Sequence, residues 1–231
     1  MPYLTVEELD RDGALRESRE RLPAADDPSV HSRRRFFAGV IAAGGAVTAL
    51  ARPERGVTQS GGDIAILNYA LTLEYLQADF YTEAERHRAL RGEARKAARV
   101  IGAVERAHVQ ALRAALGSKA VKKPFFDFRG TTEDQDAFLR TAVAFEDLGT
   151  AAYKGQAPLI RSPQVLAAAV SIHSVEARHA AWIRYLVGAV PASEAFDAPK
   201  TKRETLELVA STRFIVPRPR TEASANPRYT G

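Results

Sequence analysis

The sequence predicts an all-α fold, a four-helix bundle with one long crossover between its second and third helices. Three observations carry that expectation. Four long segments place apolar residues at helical spacing, strand signals are scarce, and the connections run short, long, short. The chain has 231 residues, 45% of them hydrophobic and 26% charged, which suits one folded domain or at most two.

The first helix is expected over about 63–87, with Ser60 as its cap and Asp63 three residues on. The second runs from about Glu93 to Leu116, opened after Gly92 and closed by Gly117. The third runs from about Glu133 to Gly155, with Thr132 and Gln135 as a capping box and Pro158 past its end. The fourth runs from about Pro163 to Val187. Ser162 caps it, Pro163 occupies its first position, and Gly188 and Pro191 stop it. A shorter helix is expected near Lys202–Ala210, while Phe214-Ile215-Val216 is too short to organise a sheet. Few residues join helices one and two, or three and four, so each pair is an antiparallel hairpin. About 15 residues, from Gly117 to Thr131, separate the hairpins, enough to run the length of a bundle. Within this crossover, Phe125-Phe126-Asp127-Phe128 is expected to anchor the loop on the helices.

The hairpins repeat each other. Glu74 is followed seven residues later by Tyr81, and Glu146 by Tyr153. Seven residues is about two turns, so each Tyr shares a face with its Glu. The second helix carries Glu105-Arg106-Ala107-His108 and the fourth Glu176-Ala177-Arg178-His179, both Glu-x-x-His. Such side chains project from one helix face a turn apart and can grip one cation together. Glu74 lies about 13 residues from the end of its helix and Glu105 about 12 from the start of the next, so both arms measure roughly 18–20 Å and the two carboxylates meet at one level. Glu146 and Glu176 are level by the same count. Apolar neighbours such as Leu71, Ile101, Val143 and Ile183 turn all six residues inward. Four buried carboxylates without partners would cost several kcal/mol each or take up protons. Two divalent cations balance their charge.

This set of one Glu from each of two helices and Glu-x-x-His from each of the others resembles the di-iron or di-manganese signature of ferritin-like proteins. The resemblance covers roughly 62–188 and implies a ferritin-like four-helix bundle holding two iron or manganese ions. It implies that Glu105 and Glu176 bridge the metals, that Glu74 and Glu146 are terminal ligands, and that His108 and His179 each bind one metal. Leu73-Glu74-Tyr75, Phe80-Tyr81, Phe126-Asp127-Phe128, Phe145-Glu146-Asp147, Tyr153 and the Val175–His179 run are similar to the desiccation-related branch, exported bacterial proteins with plant relatives. Tyr81 and Tyr153 are weaker candidates, as hydrogen-bond donors to the ligand carboxylates or as core residues. His173, one turn before Glu176, is an extra ligand or a structural histidine; its counterpart in the second helix is Gly102. Gln77 and Thr150 face the same interior and are candidates for lining an oxygen or peroxide pocket.

The chain has no cysteine, and its one methionine is Met1. That excludes disulfides, cysteine zinc sites, iron–sulfur clusters, thiol catalysis and internal methionine haem ligation. A rubrerythrin-type iron site, which needs cysteine, is excluded too. Residues 1–51 hold seven Lys/Arg and eight Asp/Glu, leaving 26 and 20 for residues 52–231, a net +6. The basic residues spread along solvated helix faces without interleaved aromatics, so no nucleic-acid partner is expected.

Residues 1–51 are expected to be a disordered lead and signal, 52–200 the bundle, and 201–231 a short helix and tail. Ser32-Arg33-Arg34-Arg35-Phe36-Phe37 precedes an uncharged stretch, 36–51, that ends in Ala49-Leu50-Ala51, the form of a signal-peptidase site. Sixteen residues with three glycines are too short and too glycine-rich for a membrane span, which needs about 20 apolar residues. The arginine pair resembles the bacterial twin-arginine signal, which implies export of a folded, metal-loaded chain by that machinery. The expected location is periplasmic or extracytoplasmic, with the signal either cleaved or retained as a membrane anchor. Metal ions, oxygen or peroxide, and further copies of the chain complete the expected partners. Three functions stay open: a di-metal redox protein against oxidative stress (ferroxidase, peroxidase or catalase type), a structural desiccation-related metal-binding protein without efficient turnover, and metal sequestration.

Overall fold

A computed structural model describes residues 60–217. The lead, the arginine pair and the stretch 36–51 lie outside the described residues, as does the tail from 218. Five α-helices are formed among the described residues: α1 Gly61–His87, α2 Gly92–Leu116, α3 Gln135–Gln156, α4 Pro163–Leu186 and α5 Lys202–Thr212. None is long and apolar enough to cross a membrane.

The caps show why the helices begin where they do. The Asp63 amide donates to Ser60 Oγ at 3.1 Å, and the Val165 amide to Ser162 Oγ at 3.3 Å. The expected capping box at Thr132 and Gln135 does not form. Asp134 caps α3, accepting from the Ala137 amide at 2.8 Å. Thr132 instead donates to buried Glu83 at 2.7 Å, and Gln135 Oε1 accepts from the Arg91 amide. A long-range partner captured the threonine, and the aspartate two residues on took over the cap. The capping box that does form is at Thr201 and Glu204, opening α5.

Side-chain pairs fix the helix directions. Asn68 reaches Lys119 and Val121, while Glu85 meets Arg106, so α1 and α2 are antiparallel. Tyr81 meets Glu146 and Tyr153 meets Glu74, so α1 and α3 are antiparallel. Glu105 meets His179 and His108 meets Glu176, which sets α2 against α4 in the same way. Helices α2 and α3 therefore point the same way, and the crossover must travel the length of the bundle. Its contacts along α1 trace that path, from Asn68 through Asp79, which pairs with Lys123 at 2.6 Å, to Glu83 with Thr132. The expected anchoring by the crossover aromatics is seen. Phe126 and Phe128 are buried, and Phe128 packs edge-on against Phe80 and Phe214.

Residues 200–216 pack on the bundle. Val209 and Phe214 are buried, and the Lys200 amide donates to the Ala151 carbonyl at 3.0 Å. Ile215–Val216 pairs antiparallel with Phe125–Phe126 in a two-stranded ribbon. The Phe214–Val216 run is as short as its sequence suggests, but the crossover supplies a partner strand.

Candidate metal centre

The bundle brings Glu74, Glu105, His108, Glu146, Glu176 and His179 together in its core. They form two overlapping groups, Glu74–Glu105–His108–Glu176 and Glu105–Glu146–Glu176–His179, with the ligand atoms of each within 4.8 Å of one another. Glu105 and Glu176 belong to both. The four carboxylates are at most 1% exposed, and His108 and His179 are nearly as deep. His108 Nδ1 lies 3.2 Å from Glu74, 3.4 Å from Glu105 and 3.1 Å from Glu176. His179 Nδ1 lies 2.8 Å from Glu105 and 3.4 Å from Glu146. The two Glu105 oxygens divide, Oε1 toward His179 and Oε2 toward His108.

Each outer carboxylate is held by the tyrosine of the opposite half. Tyr81 donates to Glu146 and Tyr153 to Glu74, both at 2.5 Å. The Glu-to-Tyr spacing of seven thus serves across the bundle, not within one helix. His173 belongs to neither group, and its Nε2 is buried without a hydrogen-bond partner. Its counterpart Gly102 has a physical reason, since a Cβ there would lie 2.8 Å from Tyr81 Cβ and 2.6 Å from Glu85 Oε1. Gln77 and Thr150 are both engaged. The Gln77 amide donates to Glu176 Oε2 at 3.3 Å, and the Thr150 hydroxyl to its own helix carbonyl at Glu146. The Gln77 bond is the contact that sequence reasoning missed.

The electrostatics are those of a crowded acidic site. Burial pushes Glu74 and Glu176 up to about 7 and Glu146 up to about 8, with neighbouring carboxylates adding to the rise. Glu105 goes the other way. Burial opposes its charge, but the close His108 and His179 rings outweigh it and hold the carboxyl well below its usual range. Burial also opposes the imidazolium charges, yet the surrounding carboxylates lift His179 to about 10 and His108 well above its ordinary value. Burial and then the facing carboxylates raise Tyr81 and Tyr153, which stay protonated donors.

The donor set fits divalent cations. Both oxygens of Glu105, one each of Glu146 and Glu176, and His179 Nδ1 are buried without a properly directed hydrogen bond. Buried polar atoms are rarely left so. Here five of them lie within one acidic core, facing one another without directed partners. Carboxylate oxygens with imidazole nitrogens suit iron or manganese.

A four-helix bundle with such a core belongs to the class that builds metal sites between facing helices. The chain belongs to the ferritin-like domain family, whose model matches residues 62–189. That span takes in all four long helices and every residue of both groups. No curated protein matches the chain.

Proposed function

We propose that the chain is an exported di-metal protein that uses two iron or manganese ions in redox chemistry on oxygen or peroxide, protecting the cell envelope. The observation that carries it is the pair of overlapping buried groups sharing Glu105 and Glu176. Glu74, Glu105, His108, Glu146, Glu176 and His179 hold the ions. When bound, two adjacent redox-active cations supply electrons to a small oxidant. The protein's own residues set the conditions. Tyr81 and Tyr153 fix the outer carboxylates, burial keeps bulk water out, and the four carboxylates offset the cationic charge. Export by the twin-arginine route and membership of the desiccation-related branch rest on the sequence features given above.

A second reading is a metal-binding stress protein without efficient turnover. The sealing of the centre favours it, since even the His108 side chain is only 11% exposed. One experiment tests both. Metal content is measured for the purified chain and for a Glu105→Ala/His108→Ala variant, followed by oxygen and peroxide consumption. About two irons or manganeses per chain, lost in the variant, with metal-dependent consumption of oxidant, supports the redox reading. Metal without consumption supports the structural one. No metal after anaerobic reconstitution refutes both.

A further inference from the structure

The two halves of the centre match in sequence, but their geometry does not. Glu105 lies within ion-pair distance of both histidines, 3.4 Å from His108 on its own helix and 2.8 Å from His179 across the bundle. Glu176 is its mirror residue. It reaches the opposite histidine, His108, at 3.1 Å through Oε1, but no ion pair joins it to His179 on its own helix. Its other oxygen, Oε2, accepts instead from the Gln77 amide at 3.3 Å. His108 therefore faces three carboxylates at ion-pair distance and His179 faces two.

The cause can be traced to one residue pair. Gln77 stands three after Glu74, and the matching position three after Glu146 is Gly149. A Cβ on Gly149 would lie 3.0 Å from Glu176 Oε2 and 3.4 Å from each polar atom of the Gln77 amide. The glycine leaves the slot in which this amide and carboxylate meet. No side chain at 149 can return the contact to Glu105, both of whose oxygens lack a directed hydrogen bond. Sequence, packing and orphaned atoms point to one asymmetry.

We propose that Gln77 makes the centre sequential: by holding Glu176 Oε2 away from His179, it leaves the His108 half the stronger, so that two divalent cations bind in order, His108 half first. This rests on reading the centre as a two-cation site. A cation in the His179 half would compete with the Gln77 amide for Glu176 Oε2. A hydrogen bond to a charged group is worth enough to separate the two affinities by about tenfold or more. Gln77 is a positioning residue; it acts on the cations through Glu176.

The test is an anaerobic calorimetric titration of the metal-free full chain with Mn(II) alone. Two resolved steps are expected, about tenfold or more apart. Gln77→Met keeps the length and removes the amide; it is expected to strengthen the second step and merge it with the first. Gln77→Leu is a second such variant, and circular dichroism checks that both fold. His108→Ala is expected to remove the tighter step and His179→Ala the weaker. Two equal sites in the wild type overturn the inference while leaving the di-metal reading intact. So do unchanged steps in both folded Gln77 variants, or loss of the tighter step in His179→Ala. No Mn(II) binding to the wild type overturns the di-metal reading, and this inference with it.

Discussion

Tyr81→Phe removes one hydroxyl from a fully buried ring and leaves Glu146 Oε1 without its 2.5 Å donor. The cost depends on what Glu146 carries. In the metal-free chain burial pushes Glu146 up to about 8, so at neutral pH the bond joins two uncharged groups. Such a bond contributes about 1 kcal/mol. For a chain of this size that lowers Tm by about 2–4 °C. Cations in the centre would ionise the carboxyl, and a bond to a charged acceptor is worth about 1.5–3 kcal/mol. The variant should therefore lose more when loaded than when empty, and bind Mn(II) about tenfold more weakly for each 1.4 kcal/mol of that difference. Tyr153→Phe, which removes the corresponding donor from Glu74 Oε1, should show the same order, losing more when loaded than when empty. Thermal unfolding with chelator and with saturating Mn(II) measures all four values. Equal losses with and without metal would refute the idea that these tyrosines stabilise ionised ligands and leave them as core residues.

Three further outcomes are expected. Buried Asp63 accepts from the Arg161 and Ser162 amides at 2.9 and 3.1 Å, tying the start of α1 to the loop before α4. Asp63→Ala should cost about 3 kcal/mol in urea unfolding, and a loss under about 1 kcal/mol would show the loop is held by packing instead. A Cβ on Gly155 would lie 1.9 Å from the Lys200 carbonyl oxygen, so Gly155→Ala must displace the strap leading into α5. It should cost about 1–3 kcal/mol and speed proteolysis near Lys200; wild-type cleavage kinetics would count against that contact. The metal-free chain should lose stability as pH rises from about 5 to 8. Glu74, Glu146 and Glu176 hold their protons up to about 7–8 when folded but lose them near 4.5 when unfolded, so their contribution is full below 4.5 and fades as pH rises. His108 and His179, raised above 6.5, add to the same trend, and Glu105 opposes it only at more acidic pH. Urea midpoints in chelator at pH 5 and 8 check the sign, and a midpoint that rises with pH contradicts it.

What was legible in the sequence was whatever obeys a local period. The four helices emerge within a few residues because their apolar stripes, caps and terminal glycines are short-range signals. The six residues of the centre were legible for a related reason. Glu-x-x-His fixes two side chains on one face, and equal arm lengths level the helices without any knowledge of the third dimension. The misses all lie where a distant partner decides. Thr132 and Asp134 are both sound caps on paper, and the choice fell to Glu83 on another helix. The strand at Ile215–Val216 exists because Phe125–Phe126 is beside it.

Gln77 is the instructive case, because its signal was present. Aligning the halves sets Gln77 against Gly149 and His173 against Gly102, two places where a large polar side chain is matched by a glycine. At each, the glycine vacates volume that another group fills, the Gln77 amide with Glu176 at one and Glu85 with the Tyr81 Cβ at the other. In a bundle of two matching halves the matched positions locate the candidate ligands, because both halves supply them. The mismatch at Gln77 and Gly149, which faces the centre, is where the halves differ and where the proposed order of filling arises.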